Sequence, residues 1–181
     1  MAKKIAIVGN GPSRHLFEPP FDGEICVCNV PHDIDFKYDY ITIVDRMAMN
    51  YIHKNNLKFN APILTTNDQW HFAHTNRFKT KVKDVYKTKL MNTAATAAYY
   101  FSDMYDTIYL YGCDALWSEI TTSYQDKIIQ RGKRSNTLHT QWRDKWSQVW
   151  NTNCEFVICC PKDTETIDYG ENVKWYHSKN R

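Results

Sequence analysis

Small and hydrogen-bonding residues gather in four short stretches, each placed directly after an apolar run. Gly9-Asn10-Gly11-Pro12-Ser13 follows KIAIV, Asn29 follows EICVC, Asp45 follows YITIV, and Gly112-Cys113-Asp114 follows TIYLY. Glycine at a strand tip lets a ligand approach the backbone closely. Three of the chain's six glycines, Gly9, Gly11 and Gly112, lie in these turns. Asn10 and Ser13 offer donors and acceptors of the kind that a nucleotide takes. A single turn of this sort reads as an ordinary strand ending, whereas four together predict a site. A fifth feature is His139, which directly precedes a tryptophan-striped segment. A position near a helix N-terminus lowers imidazole basicity somewhat, so such a histidine stays neutral and can accept a proton. The plainer reading of His139 is a capping or solvent-exposed side chain.

Other patterns carry less. The loop after the first run is neither the GxGxxG dinucleotide fingerprint nor the GxxxxGK[ST] P-loop, which argues against those two nucleotide sites. Asp33-Ile34-Asp35 has the form of the DxD signature of metal-dependent glycosyl transfer, but a three-residue pattern is common in a chain with many acids. His71 and His74, three apart, could share a metal, yet no third ligand stands near them, and a surface or packed pair is the simpler reading. The six cysteines form no CxxC, so the sequence predicts buried free thiols instead of a zinc framework.

The elements that must position these residues follow from hydrophobic pattern. Residues 4–8, 24–28, 40–44, 107–111 and 155–160 read as strands, with weaker strands at 62–64 and 172–176. Residues 46–56 read as a helix. Residues 92–104 form the clearest one, with Asn92 or Thr93 as its cap and an alanine face able to lie close against a sheet. Residues 139–150 read as an amphipathic helix with Trp142, Trp146 and Trp150 on one stripe, expected to pack in the core. Several strands are apolar throughout, as when both faces of a sheet are covered. The pattern predicts an α/β fold: one Rossmann-like domain over residues 1–181, with a mostly parallel sheet flanked by helices and a short lid-like segment, 115–138, before the last helix. In such sheets ligands bind beyond the carboxyl ends of the strands, where the four turns fall.

Composition sets the bounds. The 181 residues suit one domain, and 43% hydrophobic with 24% charged residues excludes a disordered chain. A net charge of +3 is too small to argue for nucleic acid by itself. The basic run 77–89 reads as a solvated face, or as attraction for an anionic substrate. No stretch approaches the roughly 18 apolar residues of a membrane span. The Met-Ala-Lys-Lys start leads into a strand without a signal-peptide pattern, so a cytoplasmic protein is expected.

Lys4 to Ser13 (KIAIVGNGPS) resembles the opening of the bacterial sialyltransferases that decorate lipooligosaccharide. It also resembles the related GNGPS-type proteins, which include archaeal 6-hydroxymethylpterin pyrophosphokinase. Cys28-Asn29 is similar to that group's second-strand Cys-Asn pair. The stretch MNTAATAAYYFSDMYDTIYLYGCD is similar to its small-residue helix, strand and Gly-x-Asp, and His139 with the strand ending Cys160-Pro161 is similar to its catalytic His, helix and Cys-Pro strand. The resemblance implies a glycosyltransferase that moves a sugar from a nucleotide donor, typically CMP-activated, to a hydroxyl acceptor, with no required metal or cofactor; whether the acceptor is a glycan or a nucleic acid stays open. By the same resemblance Gly9, Asn10, Gly11 and Ser13 touch the nucleotide, and Asn29 touches nucleotide or sugar. Asn92 and Thr93 aim helix-terminal donors at an anionic group, Asp114 helps fix the ribose or base, and Gly112 belongs to the same substrate-binding set. Tyr124 and Lys89 steady the leaving phosphate, and His139 is the general base. The group's Ser-Gly reads Asn92-Thr93 here, its second tyrosine has no counterpart beside Leu116 and Trp117, its lid is longer, and its membrane-associated extension is missing. Asp45 replaces an asparagine and suits a neutral sugar or ribose hydroxyls better than a sialic acid carboxylate. Small soluble members of the group look like phage-encoded proteins. The pterin-type relatives imply the alternative of an ATP- and Mg²⁺-dependent pyrophosphokinase, with Asp33, Asp45 or Asp114 as ligands. A nucleotide-binding or nucleic-acid-modifying small protein is a third expectation.

Overall fold

The computed structural model describes residues 2–90, 92–119, 122–129 and 142–179. Within them eight runs form strands: β1 (Lys4–Val8), β2 (Glu24–Cys28), β3 (Tyr40–Thr42), β4 (Ile63–Thr65), β5 (Val82–Asp84), β6 (Thr107–Tyr111), β7 (Glu155–Cys160) and β8 (Val173–His177). They make one sheet in the order β5-β4-β3-β2-β1-β6-β7-β8, and every pair is parallel. The helices are α1 (Arg46–Lys54), α2 (Asn67–Thr75), α3 (Thr93–Phe101) and α4 (Ser147–Trp150). This is the single Rossmann-like arrangement that the sequence predicts.

Strand alternation divides the core between the two faces. Ile5, Ile7, Ile108 and Leu110 point to one face, where Ala95, Ala97 and Ala98 of α3 and Trp146 and Val149 are buried with them. Ala6, Val8, Ile25 and Val27 point to the other, against Ala48, Met49 and Ile52 of α1 and Ala73 of α2. The alanines of α3 bring its backbone close to the sheet, so the N-terminus of this helix stands over the strand tips. Both edges are blunted: β5 is three residues long and bears Lys83, and β8 carries the exposed Tyr176 and a Lys174–Glu155 ion pair. Short or charged edges limit pairing with other chains.

The structure departs from the sequence expectations in local ways. β3 ends at Thr42, because Asp45 caps α1 by accepting from the Met47 N–H at 2.8 Å. Helix α2 and strand β5 have no counterpart among those expectations, and β5 lies inside the basic run, which places Lys83 on a sheet edge. The expected last helix is, over its described part, a 3-10 turn (Asp144–Trp146) leading into the four-residue α4. The described part of the expected lid is pinned instead of loose. In its 3-10 turn Tyr124–Lys127, Gln125 has no exposed surface; its side chain accepts from Val30 N–H and donates to Val30 C=O at 3.1 and 2.8 Å. All six cysteines are free and buried, as the sequence predicts.

Candidate functional site at the strand tips

The strand order reverses direction at β1. From there the chain works outward through β2 to β5 on one side, and through β6 to β8 on the other. The crevice at such a reversal, beyond the carboxyl ends, is where open α/β sheets bind ligands. Here the floor is backbone. Gly9 N–H donates to Tyr111 C=O at 2.7 Å, and Gly11 N–H to Gly112 C=O at 2.8 Å. A methyl group on Gly9 would stand 2.5 Å from the Gly112 carbonyl oxygen, so the two loops meet this closely only because both are glycine. Gly112 also has φ of +63°, a conformation that side chains disfavour.

A cavity of about 730 Å³ opens above this floor. Of the residues singled out from sequence, Gly9, Asn10, Gly11, Asn29, Asp45, Lys89, Asn92, Thr93, Gly112 and Asp114 all line it. Asn29 sits at the tip of β2 with φ of +60°, which asparagine tolerates better than most residues, and its side-chain oxygen accepts from the Thr93 hydroxyl at 3.2 Å. Asn92 caps α3 by accepting from Ala95 N–H at 2.7 Å, while its buried Nδ2 makes no hydrogen bond. Thr93 and Ala94 bring the first turn of α3 to the cavity, where helix-terminal N–H groups favour an anion.

Asp114 receives three bonds from Ser13. The hydroxyl donates to Oδ2 at 2.7 Å, and the N–H is shared between the two oxygens at 3.1 Å. Burial pushes this carboxyl above its ordinary range, while the Ser13 bonds pull it back down. Asp68, by contrast, is held below the usual carboxylate range, first by the Thr66 hydroxyl and also by Lys89 and Gln69.

Two expected ligand contacts are placed elsewhere. Ser13 is 1% exposed and does not line the cavity; it holds Asp114 from beneath. Tyr124 is outside the lining too: the Arg14 guanidinium lies 3.7 Å from its ring centre, and its N–H donates to Asn10 C=O at 2.8 Å. His139 lies outside the described residues. Asn10 lines the cavity with its amide already engaged, Nδ2 donating to Cys28 C=O and Oδ1 accepting from Arg14 at 2.7 and 3.2 Å. The Asp33-Ile34-Asp35 motif is not part of the cavity; Asp33 pairs with Lys127 at 3.0 Å. His71 and His74 are exposed on α2 and pack on Trp70.

Sequence reasoning missed Arg46, Asp68, Gln69, Thr122, Ser123 and Trp142, which complete the walls. Of the tryptophan stripe, Trp146 and Trp150 are core, but Trp142 stands in the cavity wall. Comparison of the chain with known family models, curated proteins and solved structures gives no match. Among the described residues no helix is long and apolar enough to cross a membrane.

Proposed function

We propose that this chain is a glycosyltransferase that binds a nucleotide-activated sugar across the β1–β6 crevice and moves the sugar to a hydroxyl acceptor. The observation that carries the reading is convergence. Residues that sequence alone singles out, in four separate turns and at the start of α3, line one cavity at the topological reversal of a parallel sheet. The chemistry of the lining supports it. The first turn of α3, the buried Asn92 Nδ2 and the Lys89 ammonium supply donors and positive charge for a phosphate. Asp114 supplies carboxylate oxygens for ribose hydroxyls, and Trp142 a ring face for a base.

The reaction is a single displacement. The acceptor oxygen forms a bond to the anomeric carbon as the bond from that carbon to the phosphate oxygen breaks. His139 takes the acceptor proton, and the negative charge left on the phosphate is met by Lys89 and the α3 N–H groups. A positioned base contributes roughly 10²- to 10⁴-fold to rate.

The test is a thermal-shift and calorimetric screen against CMP, UDP, GDP and ADP and their sugar conjugates, followed by product analysis. A ligand that binds only the folded chain raises its melting temperature. His139→Ala is expected to keep nucleotide affinity and lose turnover by about the factor a base contributes. Absence of binding by every nucleotide overturns the reading, and full turnover in His139→Ala overturns the role of that residue.

A further inference from the structure

One corner of the cavity is built in a way that the proposed chemistry does not yet use. It lies where α1 and α2 begin, and its side chains are Asp45, Arg46, Asp68 and Gln69. Gln69 is 2% exposed, unusual for a long amide, and both ends of that amide are engaged. Its Oε1 accepts from Arg46 Nε at 2.7 Å, and its Nε2 donates to Asp68 Oδ2 at 2.6 Å. The amide is thus a buried strut between a guanidinium and a carboxylate.

The Arg46 guanidinium is fixed further. It lies 4.4 Å over the centre of the Phe72 ring, and its Nη2 donates to Asp68 C=O at 3.2 Å. Arg46 Nη2 is 3.9 Å from Asp68 Oδ2, so the two charges are side by side. Asp68 Oδ1 accepts from Thr66 at 2.5 Å. Folding has already met the entropic cost of holding these groups, which is the condition for selective recognition.

Charge decides what such a corner takes. Two carboxylates, Asp45 and Asp68, line the cavity together with one guanidinium and the Lys89 ammonium, so the corner is close to neutral in sum. A further anion there meets two like charges beside its two partners and gains little. A neutral polyhydroxyl group gains on both sides, because each hydroxyl can donate to a carboxylate and accept from the guanidinium. Hydrogen bonds to charged partners are the stronger kind.

We propose that the Arg46–Gln69–Asp68 corner, with Asp45, is the subsite for the transferred sugar and that this sugar is neutral. The donor class is therefore a nucleoside diphosphate linked to an uncharged hexose-type ring, and an acidic sugar is rejected. The nucleoside end then lies toward Trp142 and Asp114, on the β6 side. The inference rests on the proposed nucleotide site and goes beyond it by assigning the sugar class and the residues that select it.

Calorimetry on the full chain tests it with three neutral pairs (UDP and UDP-glucose, GDP and GDP-mannose, ADP and ADP-glucose) and one acidic pair (CMP and CMP-N-acetylneuraminic acid). At least one neutral conjugate is expected to bind about tenfold or more tighter than its bare nucleotide, the range that one or two charge-assisted hydrogen bonds supply. CMP-N-acetylneuraminic acid is expected to bind no tighter than CMP. Arg46→Ala and Asp68→Asn both change partly exposed side chains; each should abolish the gain and leave the bare nucleotide within about twofold, with an unchanged circular dichroism spectrum as the folding control. Arg46→Lys keeps the charge without the planar fork and should also lose the gain. The subsite assignment is overturned if no neutral conjugate binds tighter than its nucleotide, or if the Arg46 variants weaken bare nucleotide and conjugate equally, which places a phosphate in the corner. A gain for CMP-N-acetylneuraminic acid that depends on Arg46 overturns the neutral class. Failure of every nucleotide to bind removes the nucleotide reading itself, and the subsite with it.

Discussion

Replacing Ser13 with alanine isolates the support beneath the cavity. The hydroxyl lost is buried and donates to Asp114 Oδ2 at 2.7 Å, while the Ser13 N–H bonds to the same carboxylate survive. A hydrogen bond to an ionised partner contributes about 1.5–3 kcal/mol, and one between neutral groups about 0.5–1.5 kcal/mol. At neutral pH, with Asp114 ionised, Ser13→Ala should therefore cost about 1.5–3 kcal/mol of folding stability. The cost should shrink in acid. Burial raises the Asp114 carboxyl above its ordinary range, and the Ser13 bonds oppose that rise. With a raised folded value, the folded chain holds the proton longer than the unfolded one. Stability is then highest below the ordinary carboxylate range and falls as pH rises through the folded value. Removing the hydroxyl lifts the folded value further, so the fall becomes larger and ends at higher pH. Urea unfolding of both proteins across about pH 3 to 8, with a carbon NMR titration of Asp114, reads this directly. A difference independent of pH, or below about 0.5 kcal/mol at neutral pH, refutes the account of Ser13 as the support of an ionised Asp114. Nucleotide affinity should fall alongside, although Ser13 itself does not line the cavity.

Gly9→Ala forces a methyl carbon to 2.5 Å from the backbone oxygen of Gly112, which cannot swing aside; overpacking of this kind costs about 1–3 kcal/mol, and a melting curve should drop accordingly. Gln125→Leu leaves the buried N–H of Val30 without its side-chain partner, at about 1–3 kcal/mol, while the Val30 C=O keeps its bond from the His32 N–H; it should make residues 122–129 more susceptible to limited proteolysis. An unchanged digestion pattern would show that this turn is held by other contacts. The thiolate is the form that alkylates, and burial pushes Cys154 up to about 11, Cys159 to about 12 and Cys28 and Cys113 well above the usual range. The native chain should thus resist iodoacetamide near neutral pH and take up six labels once unfolded, as counted by mass spectrometry.

The floor of the site is legible in the sequence because it depends on local chemistry. Gly9, Gly11 and Gly112 interrupt strands, and a strand interruption can be read from neighbours in the chain. The walls depend on which distant segments meet. Arg46 opens a helix whose apolar pattern says only that it packs, and Trp142 looks like the first member of a core stripe that Trp146 and Trp150 do continue. Helix α2 carries one usable signal: Thr66-Asn67-Asp68-Gln69 fits the S/T-x-x-E/Q start of a helix directly after an apolar strand. In the fold the Thr66 hydroxyl turns to Asp68 instead of the backbone, so the pattern marks the element without describing its bonds. β5 has no such signal, since three residues with a lysine in the middle give no period to detect. Ser13 reads as a ligand contact in the sequence because polar residues in a rim loop face either the ligand or the loop's own scaffolding, and Tyr124 enters as one through the resemblance alone. Only the packing of distant segments separates the two.

This division between floor and walls has an energetic consequence. The floor consists of backbone pairs between β1 and β6 and of the Ser13–Asp114 bonds, all part of the packed centre of the sheet. A change there disturbs the pairing of the two central strands, so stability and binding fall together. Arg46, Asp68 and Lys89 are partly exposed and stand on different elements, but Arg46 and Asp68 also partner the buried Gln69 amide. Surface substitutions away from buried features usually move stability within about 0.5 kcal/mol. Lys89 variants should therefore separate affinity from stability where floor variants cannot, and Arg46 and Asp68 variants fall between, because the buried Gln69 amide loses a partner. That contrast follows from the sheet order, because the strands that deliver the tips to the cavity are the ones buried on both faces.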